Sequence, residues 1–170
     1  MNAGAMGGAM FEVVDQVHYL DREGRLHVRG REELHVEYRA CRELQTGIAI
    51  GAVLRTRGPA EVALVRQRIA ELQRNRMESQ PLEPSAGCIF KNPPGDSAGR
   101  LIDECGLKGE TVGGAEVSRV HANFIVNRGN ASATDVLELV RRIRTRVRQI
   151  KGVELQPEVL LYGRHWEDVL

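Results

Sequence analysis

The organisation of this chain follows from residues 85–109, which have the sequence SAGCIFKNPPGDSAGRLIDECGLKG. The two prolines and the glycine of residues 93–95 favour a rigid loop over regular structure in the first half of this stretch. Ser97 is a suitable N-cap for a short helix over residues 98–105, because its hydroxyl can accept a backbone N–H of the first turn. Gly106 would end that helix, since glycine readily adopts the left-handed conformation that follows a helix. The stretch therefore predicts a loop and a short helix at the start of a domain.

Hydrophobic patterns predict regular structure from this stretch to the C-terminus. Short runs of β-branched and apolar residues predict strands over residues 116–118, 123–127 and 157–162. Between the last two, apolar residues recur at helical spacing and predict a long amphipathic helix over residues 135–150. Thr134 can cap the start of this helix, and Gly152 can end it. The part from residue 85 onward is thus expected to be a small α+β domain.

The part before residue 85 is expected to consist mainly of strands. Strands are predicted over residues 11–20, 25–28 and 45–56, and the first two form a hairpin. A helix is expected from Pro59 to about Met77, because proline suits the first helical position and apolar residues then recur at helical spacing. The prolines within residues 80–84 break this helix. We therefore expect an α+β chain of two domains, residues 1–84 and 85–170.

Composition excludes several classes of protein. The chain has 170 residues and a net charge of +1, so it can bury a real core but lacks the basic excess typical of nucleic-acid binders. Its three cysteines are widely spaced and its five histidines form no HExxH pair, so neither a disulfide framework nor a metal site is expected. No apolar run approaches the roughly 20 residues of a membrane span, and no signal peptide is recognisable. We expect a cytoplasmic protein without a membrane or nucleic-acid partner.

The segment RRIRTRVR, residues 141–148, is the most conspicuous charged stretch. It could form a nucleic-acid surface, but Ile143 and Val147 lie on the apolar stripe of the predicted helix. The arginines then occupy the opposite face near the C-terminal end, where positive charge complements the helix dipole. A solvated helix face is the favoured interpretation.

Three other segments could carry chemistry, namely Tyr38-Arg39, residues 88–92 and Glu158. Each has an ordinary structural alternative. An arginine in a loop is usually a surface charge, a cysteine between apolar neighbours is more often a buried small hydrophobe, and a glutamate after proline is usually exposed. The glycine-rich start, residues 1–10, could equally be a flexible tail. Taken singly, these segments do not decide between the alternatives.

Taken together, the segments occur in the order and at about the spacing found in the UDP-N-acetylenolpyruvoylglucosamine reductase family. The run FKNPPGDSAGRLI within residues 85–109 resembles the most characteristic stretch of that family. HANFIVNRGNAS (residues 121–132) and LQPEVLLYG (residues 155–163) are similar to its later signatures. MNAGAMGG, residues 1–8, resembles the glycine-rich segment of its flavin domain. The chain is identified as a member of this family, and the absence of a long insertion favours its shorter, second class.

The resemblance implies NADPH- and FAD-dependent reduction of UDP-N-acetylglucosamine enolpyruvate to UDP-N-acetylmuramate in peptidoglycan synthesis. It also implies an incomplete flavin-binding domain, residues 1–84, followed by a substrate-binding domain, residues 85–170. By their positions in the family motifs, Arg39 would hold the enolpyruvyl carboxylate, Glu158 would polarise the substrate and Cys88 would donate a proton. The other implied site residues are Asn2, Ala3, Gly4 and Gly8 for FAD, and Tyr38, Lys91 and Asn92 for the substrate.

Two departures from the family pattern modify these expectations. Cys88 stands where the family usually has a serine proton donor, but a thiol still carries a transferable proton and, with an ordinary pKa of about 8.5, is a stronger acid than an alcohol. Cys41 also stands where serine is common, and no effect is assigned to it. The family also has about a hundred further residues before the segment at residues 1–8, the size of a small domain. A missing N-terminal flavin-binding segment is therefore expected, either lost by truncation or supplied by another chain. The alternative is a catalytically silent fragment that recognises the UDP-sugar but does not hold flavin.

Overall fold

The computed structural model describes residues 2–5, 7–56 and 58–170 of the chain. It divides the chain into two compact units, residues 1–72 and 73–170. The units combine helices with small antiparallel sheets, which confirms the predicted α+β class. Helix α1 (Val62–Ser79) runs across the division between the units, and the proposed domain boundary after residue 84 stays a prediction.

The first unit has seven short strands within its described residues. They are β1 (Gly4–Ala5), β2 (Gly8–Ala9), β3 (Val14–Leu20), β4 (Leu26–Gly30), β5 (Val36–Glu37), β6 (Ala40–Cys41) and β7 (Ile48–Leu54). β3 lies between β4 and β7 in an antiparallel sheet, whereas β1–β2 and β5–β6 form separate hairpins. The three strands predicted for this part are confirmed, with ends that differ by a few residues.

The core of the first unit lies on one face of β3. Val17 and Tyr19 are buried at the two-residue spacing of a half-buried strand. Val14 is buried too, because a register irregularity between Val14 and Gln16 shifts the alternation by one residue. The core is completed by Phe11, Leu34 and Cys41. Since Cys41 lies in β6, this core anchors the β5–β6 hairpin.

β7 and α1 expose apolar residues. All seven residues of β7 are exposed, including Ile48, Ile50 and Leu54, and α1 has no buried residue along its length. A strand edge and a helix face of this kind are typical of surfaces that another polypeptide segment covers.

Helix α1 begins later than the sequence predicts. Its first regular residue is Val62, and the carbonyl of Glu61 accepts the N–H of Val65 at 3.1 Å. Glu61 therefore takes the N-cap position, and Pro59 lies outside the helix. The prediction of a start at Pro59 was wrong by three residues.

The second unit packs two helices against a four-stranded antiparallel sheet. Its elements are β8 (Ser85–Cys88), α2 (Ala98–Glu104), β9 (Thr111–Val112), β10 (Ala115–Val117), β11 (Phe124–Asn127) and α3 (Ala133–Lys151). The strand order is β8-β11-β10-β9, and α3 packs against β9, β10 and α2. One face of α3 is buried in the core, as its hydrophobic spacing predicts, through Leu139, Val140, Ile143 and Val147.

The ends of the helices follow the predicted chemistry with one correction. Ser97 caps α2 by accepting the N–H of Arg100 at 3.4 Å, as predicted. α3 is capped by Ser132 and not by Thr134, because Ser132 and Asp135 exchange hydrogen bonds between side chains and backbone N–H groups. Gly152 ends α3 in the left-handed conformation, with φ of 70°.

Two further predictions in the second unit were wrong. Residues 85–88 form β8, where the prolines downstream had favoured a loop. The strand expected over residues 157–162 is reduced to one bridge between Phe90 and Pro157. Beyond this bridge, Leu160 and Tyr162 are almost fully exposed, at 88% and 102%, so they have no sheet to pack on.

Candidate functional site

The β5–β6 hairpin presents Tyr38 and Arg39 at its tip. Val36 pairs with Cys41 and Glu37 with Ala40, so Tyr38 and Arg39 form the two-residue connection. Arg39 has φ of 57°, the left-handed conformation that non-glycine residues seldom adopt. Its guanidinium carbon lies 5.1 Å from the centre of the Tyr38 ring, within cation–π distance. The tight turn thus fixes the direction in which this half-buried cation leaves the backbone.

The structure brings Arg39 together with the glycine-rich segment. A Cβ atom at Gly4 would lie 2.9 Å from Arg39 Nη1 and 3.2 Å from the carbonyl oxygen of Gly8. Only glycine leaves this space open. The glycine-rich segment and Arg39 therefore meet in the first unit. The sequence analysis assigned them to different roles, in flavin binding and in carboxylate binding.

Asn2 ties the glycine-rich segment to the rest of the first unit. Its Nδ2 donates to the carbonyl of Glu37 at 3.3 Å, and its Oδ1 accepts the N–H of Phe11 at 3.2 Å. The carbonyl of Ala3 accepts the N–H of Met10 at 2.8 Å. The described residues 2–5 and 7–9 are thus a pinned hairpin, which corrects the alternative of a flexible tail for them.

Glu43 secures the base of the β5–β6 hairpin, and no motif or spacing in the sequence points to it. One carboxylate oxygen accepts His35 N–H at 3.1 Å, and the other lies 2.6 Å from His35 Nδ1. The thiol of Cys41 donates to the same carboxylate, with Sγ at 3.5 Å. Although desolvation by burial opposes ionisation, the hydrogen bonds from His35 lower the pKa of Glu43 to about 2. Burial raises the pKa of the Cys41 thiol, so that thiol stays protonated.

In the second unit, the segment after β8 is a hydrogen-bonded neighbour of the segment that carries Glu158. Glu158 N–H donates to the carbonyl of Ile89 at 2.7 Å, and Lys91 N–H donates to the carbonyl of Gln156 at 2.8 Å. These two bonds flank the Phe90–Pro157 bridge, which makes that pair a non-hydrogen-bonded one. Proline is therefore tolerated here, because the position needs no N–H. Backbone pairing thus groups two of the implied site segments, residues 88–92 and the segment of Glu158.

Cys88 ends β8 opposite Phe124 and is half-buried. It follows Gly87, which has φ of 83° and so sets the direction of the strand end. Asn92 is exposed, and its Oδ1 accepts the N–H of Ala98 at 3.0 Å at the start of α2. Lys91, between them, is half-buried. Cys88, Lys91 and Asn92 therefore belong to one short segment with a defined backbone.

Asn123 is a second residue that sequence reasoning missed. It is 2% exposed, and its side-chain amide makes two hydrogen bonds to the peptide groups of Phe90. Its position inside HANFIVN, residues 121–127, was the available signal, since a buried asparagine must satisfy both a donor and an acceptor.

The C-terminal residues are tied to the Glu158 segment. The indole of Trp166 donates to the carbonyl of Val159 at 2.7 Å. The carbonyl of Val169 accepts a hydrogen bond from Arg141 at 2.7 Å. These contacts hold the chain after Glu158 against α3.

Three arginines of α3, Arg141, Arg142 and Arg144, contact acceptors of their own unit. Arg142 pairs with Glu138, and Arg144 binds the carbonyl of Leu155 and the carboxylate of Glu154. Across residues 2–5, 7–56 and 58–170, no cluster of side chains suits a metal ion. None of the helices in that part of the chain has the length and apolar character needed to cross a bilayer.

Comparison with known proteins identifies the family of the chain. Residues 79–162 match the family model described as the UDP-N-acetylenolpyruvoylglucosamine reductase, C-terminal domain. The reductase of Moorella thermoacetica is 44% identical over 96% of this chain and 54% of its own length. That of Heliobacterium modesticaldum is 48% identical over 96% of this chain and 52% of its own length.

A solved structure supports the same assignment. The crystal structure of the UDP-N-acetylenolpyruvylglucosamine reductase from Thermus caldophilus is similar, with a TM-score of 0.77 and 45% identity over 93% of this chain and 57% of that one. The fold and the matches define the class of the chain as that of reductase C-terminal domains. The chain belongs to the UDP-N-acetylenolpyruvoylglucosamine reductase family, which confirms the resemblance, and it corresponds to the C-terminal half. It spans about half the length of the curated relatives it matches.

Proposed function

We propose that this chain carries the substrate-binding and proton-donating part of a UDP-N-acetylenolpyruvoylglucosamine reductase. The reaction is reduction of UDP-N-acetylglucosamine enolpyruvate to UDP-N-acetylmuramate with NADPH and FAD. The observation that carries the proposal is the pairing of the segment at Cys88–Lys91 with the segment at Glu158, through the hydrogen bonds on both sides of the Phe90–Pro157 bridge. Two segments far apart in sequence, each with an implied catalytic residue, are neighbours in the structure, and Glu158 is half-buried.

The chemistry requires a hydride on one carbon of the enolpyruvyl group, a proton on its neighbour and stabilisation of the negative charge between them. Bound FAD, once reduced by NADPH, supplies the hydride. Arg39 holds the enolpyruvyl carboxylate as a fixed cation, aided by its constrained turn. Glu158 polarises the substrate, and Cys88 delivers the proton from its thiol to the carbon that becomes nucleophilic.

The remaining implied residues bind the substrate or FAD. Lys91 supplies a positive charge for substrate phosphate or carboxylate, and Tyr38 and Asn92 flank the substrate. For FAD, the fit lies in the small residues of the β1–β2 hairpin. Gly8 is exposed, and a Cβ there would have no neighbour closer than 3.8 Å, so the backbone at Gly8 is open to close approach by a planar ring. Asn2, Ala3 and Gly4 hold that backbone in place.

The direct test of substrate recognition is calorimetry of the purified chain with UDP-N-acetylglucosamine enolpyruvate. We expect saturable binding, and weaker binding of UDP-N-acetylglucosamine, which lacks the carboxylate that Arg39 would hold. Equal affinities for the two sugars, or no binding of either, would contradict the proposal.

Reductase activity is tested in a chimera that joins the preceding part of the Moorella thermoacetica reductase to the N-terminus of this chain, here called the completed chimera. We expect it to retain flavin and to consume NADPH when the enolpyruvyl sugar is present. The chain alone is expected to bind FAD weakly or not at all, because backbone donors for the two phosphates are expected in the preceding segment.

The second candidate function is a UDP-sugar-binding fragment without flavin chemistry. It is favoured by the contrast between the extensive core of the second unit and the exposed β7 and α1. Flavin absorbance discriminates between the two. A completed chimera that is yellow and keeps its colour through gel filtration supports the reductase, whereas a colourless chimera that still binds the sugar supports the fragment.

A further inference from the structure

A buried side chain, and not a strand, continues the sheet beyond Cys88. The regular pairing of β8 with β11 links Cys88 to Phe124 and Ser85 to Val126, with a register irregularity between them. Two residues after Cys88, the backbone N–H and C=O of Phe90 bond to the side-chain amide of Asn123. Phe90 N–H donates to Asn123 Oδ1 at 2.9 Å, and Asn123 Nδ2 donates to the carbonyl of Phe90 at 2.8 Å.

The backbone of Asn123 adds a third bond to the same segment. Its carbonyl accepts the N–H of Ile89 at 2.8 Å. The opposite edge of the segment is held by Gln156 and Glu158, through their backbone bonds to Lys91 and Ile89. Residues 89–91 are therefore fixed between Asn123 on one side and the Glu158 segment on the other.

The position of Asn123 is itself set by its neighbours. Asn123 N–H donates to His121 Nδ1 at 3.2 Å, and burial lowers the pKa of that histidine. His121 lies close to Gly99 of α2, where a Cβ would approach its ring to 2.9 Å. The nearby hydroxyl of Ser118 accepts N–H groups of Val120 and His121 at 3.2 and 3.3 Å, but these bonds stay within its own turn.

We propose that Asn123 is a positioning residue for the site, acting through the Phe90 backbone to hold Cys88 and Lys91 in register with the Glu158 segment. Its side-chain amide presents both the acceptor for Phe90 N–H and the donor for the Phe90 carbonyl, which belong to the two peptide groups on either side of the Phe90 Cα. Because Cys88 and Lys91 lie two residues before and one residue after Phe90, rotation of these peptide groups would redirect both side chains. The proposal rests on the proposed function as far as Cys88 and Lys91 are concerned.

The first test measures how fast the thiol of Cys88 reacts, and it needs no substrate. Alkylation by iodoacetamide is followed at each cysteine by mass spectrometry in the parent chain, in Asn123→Ala and in Ser118→Ala. We expect Asn123→Ala to change the Cys88 rate by about tenfold, the scale of one lost buried hydrogen bond, and to leave Cys105 unchanged. Cys105 belongs to the same unit and so reports general unfolding. Ser118→Ala, which removes a buried polar side chain of the same turn, is expected to leave the Cys88 rate close to the parent value.

The second test exploits a pH-dependent replacement. Asn123→Asp keeps the acceptor for Phe90 N–H but loses the donor to the Phe90 carbonyl when the carboxyl group is ionised. A protonated carboxyl group restores an O–H donor, and burial raises the pKa of such a group. Sugar binding by Asn123→Asp should therefore weaken by about tenfold, relative to the parent at the same pH, as the pH rises through that pKa. His121 and Cys88, the titratable neighbours, are present in both proteins, so the comparison cancels their effects.

The outcomes separate this inference from the proposed function. If the parent chain binds no sugar, the proposed function fails, and the alkylation experiment still decides the role of Asn123. If Asn123→Ala accelerates alkylation of Cys88 and Cys105 equally, or changes neither rate, Asn123 is only a core residue and the inference is wrong. Should Asn123→Ala not fold, Asn123→Asp replaces it, and the ratio of the alkylation rates of Cys88 and Cys105 is measured at low and at neutral pH. If this ratio changes with pH no more than it does in the parent, the inference is wrong.

Discussion

The guanidinium of Arg39 occupies the space that a side chain at Gly4 would require, since a Cβ there would lie 2.9 Å from Arg39 Nη1. The tightest contact is with the end of a flexible side chain, and the Cβ would also lie 3.2 Å from the backbone carbonyl oxygen of Gly8. An alanine at position 4 would therefore displace the cation more readily than the backbone. This contact links the glycine-rich hairpin to the proposed carboxylate-binding group.

The first prediction is that Gly4→Ala weakens the hold on the substrate carboxylate. In the completed chimera we expect KM for the enolpyruvyl sugar to rise by about tenfold, the scale of one misplaced charged hydrogen bond, with less than about 1 kcal/mol lost in stability. Gly51→Ala is the matched control, because a Cβ there meets only His18 at 3.8 Å or more. An unchanged KM for Gly4→Ala would show that Arg39 can move without consequence.

The second prediction concerns the two charged residues proposed to act on the substrate. Arg39→Ala and Glu158→Ala in the completed chimera should each slow reoxidation of the flavin by the sugar by about 10²–10³. Reduction of the flavin by NADPH should change little, because no charge develops near these residues in that step. Stopped-flow absorbance measures the two half-reactions separately, with Arg22→Ala in the β3–β4 turn as control. Equal losses in both half-reactions would show that the roles are misassigned.

The third prediction assigns the proton to Cys88. Cys88→Ala should leave flavin reduction by NADPH nearly unchanged and slow reoxidation by the sugar by about 10²–10⁴, the usual contribution of a general acid. Cys88→Ser should retain much of the rate, because a hydroxyl can also donate. If Cys88→Ala reoxidises at the parent rate, the proton comes from water or from another acid.

The fourth prediction concerns the acid stability that Glu43 contributes. Its pKa is lowered from 4.5 to about 2, so its ionised form stabilises the native state above about pH 4.5, and this contribution is lost as the pH falls toward 2. Glu43→Gln should reduce the free energy of unfolding of the completed chimera by about 1 kcal/mol at pH 7. The difference from the parent should shrink toward zero near pH 2.

Urea denaturation at a series of pH values measures this difference. Glu23→Gln, in the exposed turn after β3, serves as the control for removing a carboxylate from the same unit. A difference between Glu43→Gln and the parent that is the same at pH 2 and pH 7 would mean that the charge of Glu43 does not contribute.

The fifth prediction is that the two parts of the chain differ in resistance to proteolysis. Residues 1–84 include the exposed β7 and α1, whereas residues 85–170 include most of the large core. Limited trypsin digestion of the chain alone should leave a resistant C-terminal fragment, identified by mass spectrometry. In the completed chimera, cleavage within residues 48–79 should slow. Faster digestion of the C-terminal part would contradict this expectation.

Sequence patterns predicted the elements whose signals are local. The buried apolar face of α3 was predicted from helical spacing alone, and the cap of α2 from the hydroxyl of Ser97. Both predictions are confirmed. Ser132 replaced Thr134 as the cap of α3 because two suitable hydroxyls lie in the same short segment, and only the exchange with Asp135 distinguishes them. Pattern alone could not make that choice.

The errors arose where distant residues decide the structure. Residues 85–88 form a strand because they pair with the edge of β11. Residues 157–162 do not form the predicted strand, because only Pro157 pairs with another segment. The site follows the same rule. Family motifs supplied Arg39, Cys88 and Glu158, whose roles stay predictions, but the contacts of Glu43 and Asn123 are seen only in the hydrogen bonds of the structure. A one-dimensional pattern does not contain those contacts.

The bond between the Trp166 indole and the Val159 carbonyl gives the molecule a built-in optical reporter. Trp166 is the only tryptophan of the chain, and its acceptor is the residue after Glu158. Its emission wavelength depends on how wet and how polar the surroundings of the ring are. Any ligand that shifts the Glu158 segment should therefore change the intrinsic fluorescence without an added dye, and a titration with the sugar would follow that segment alone.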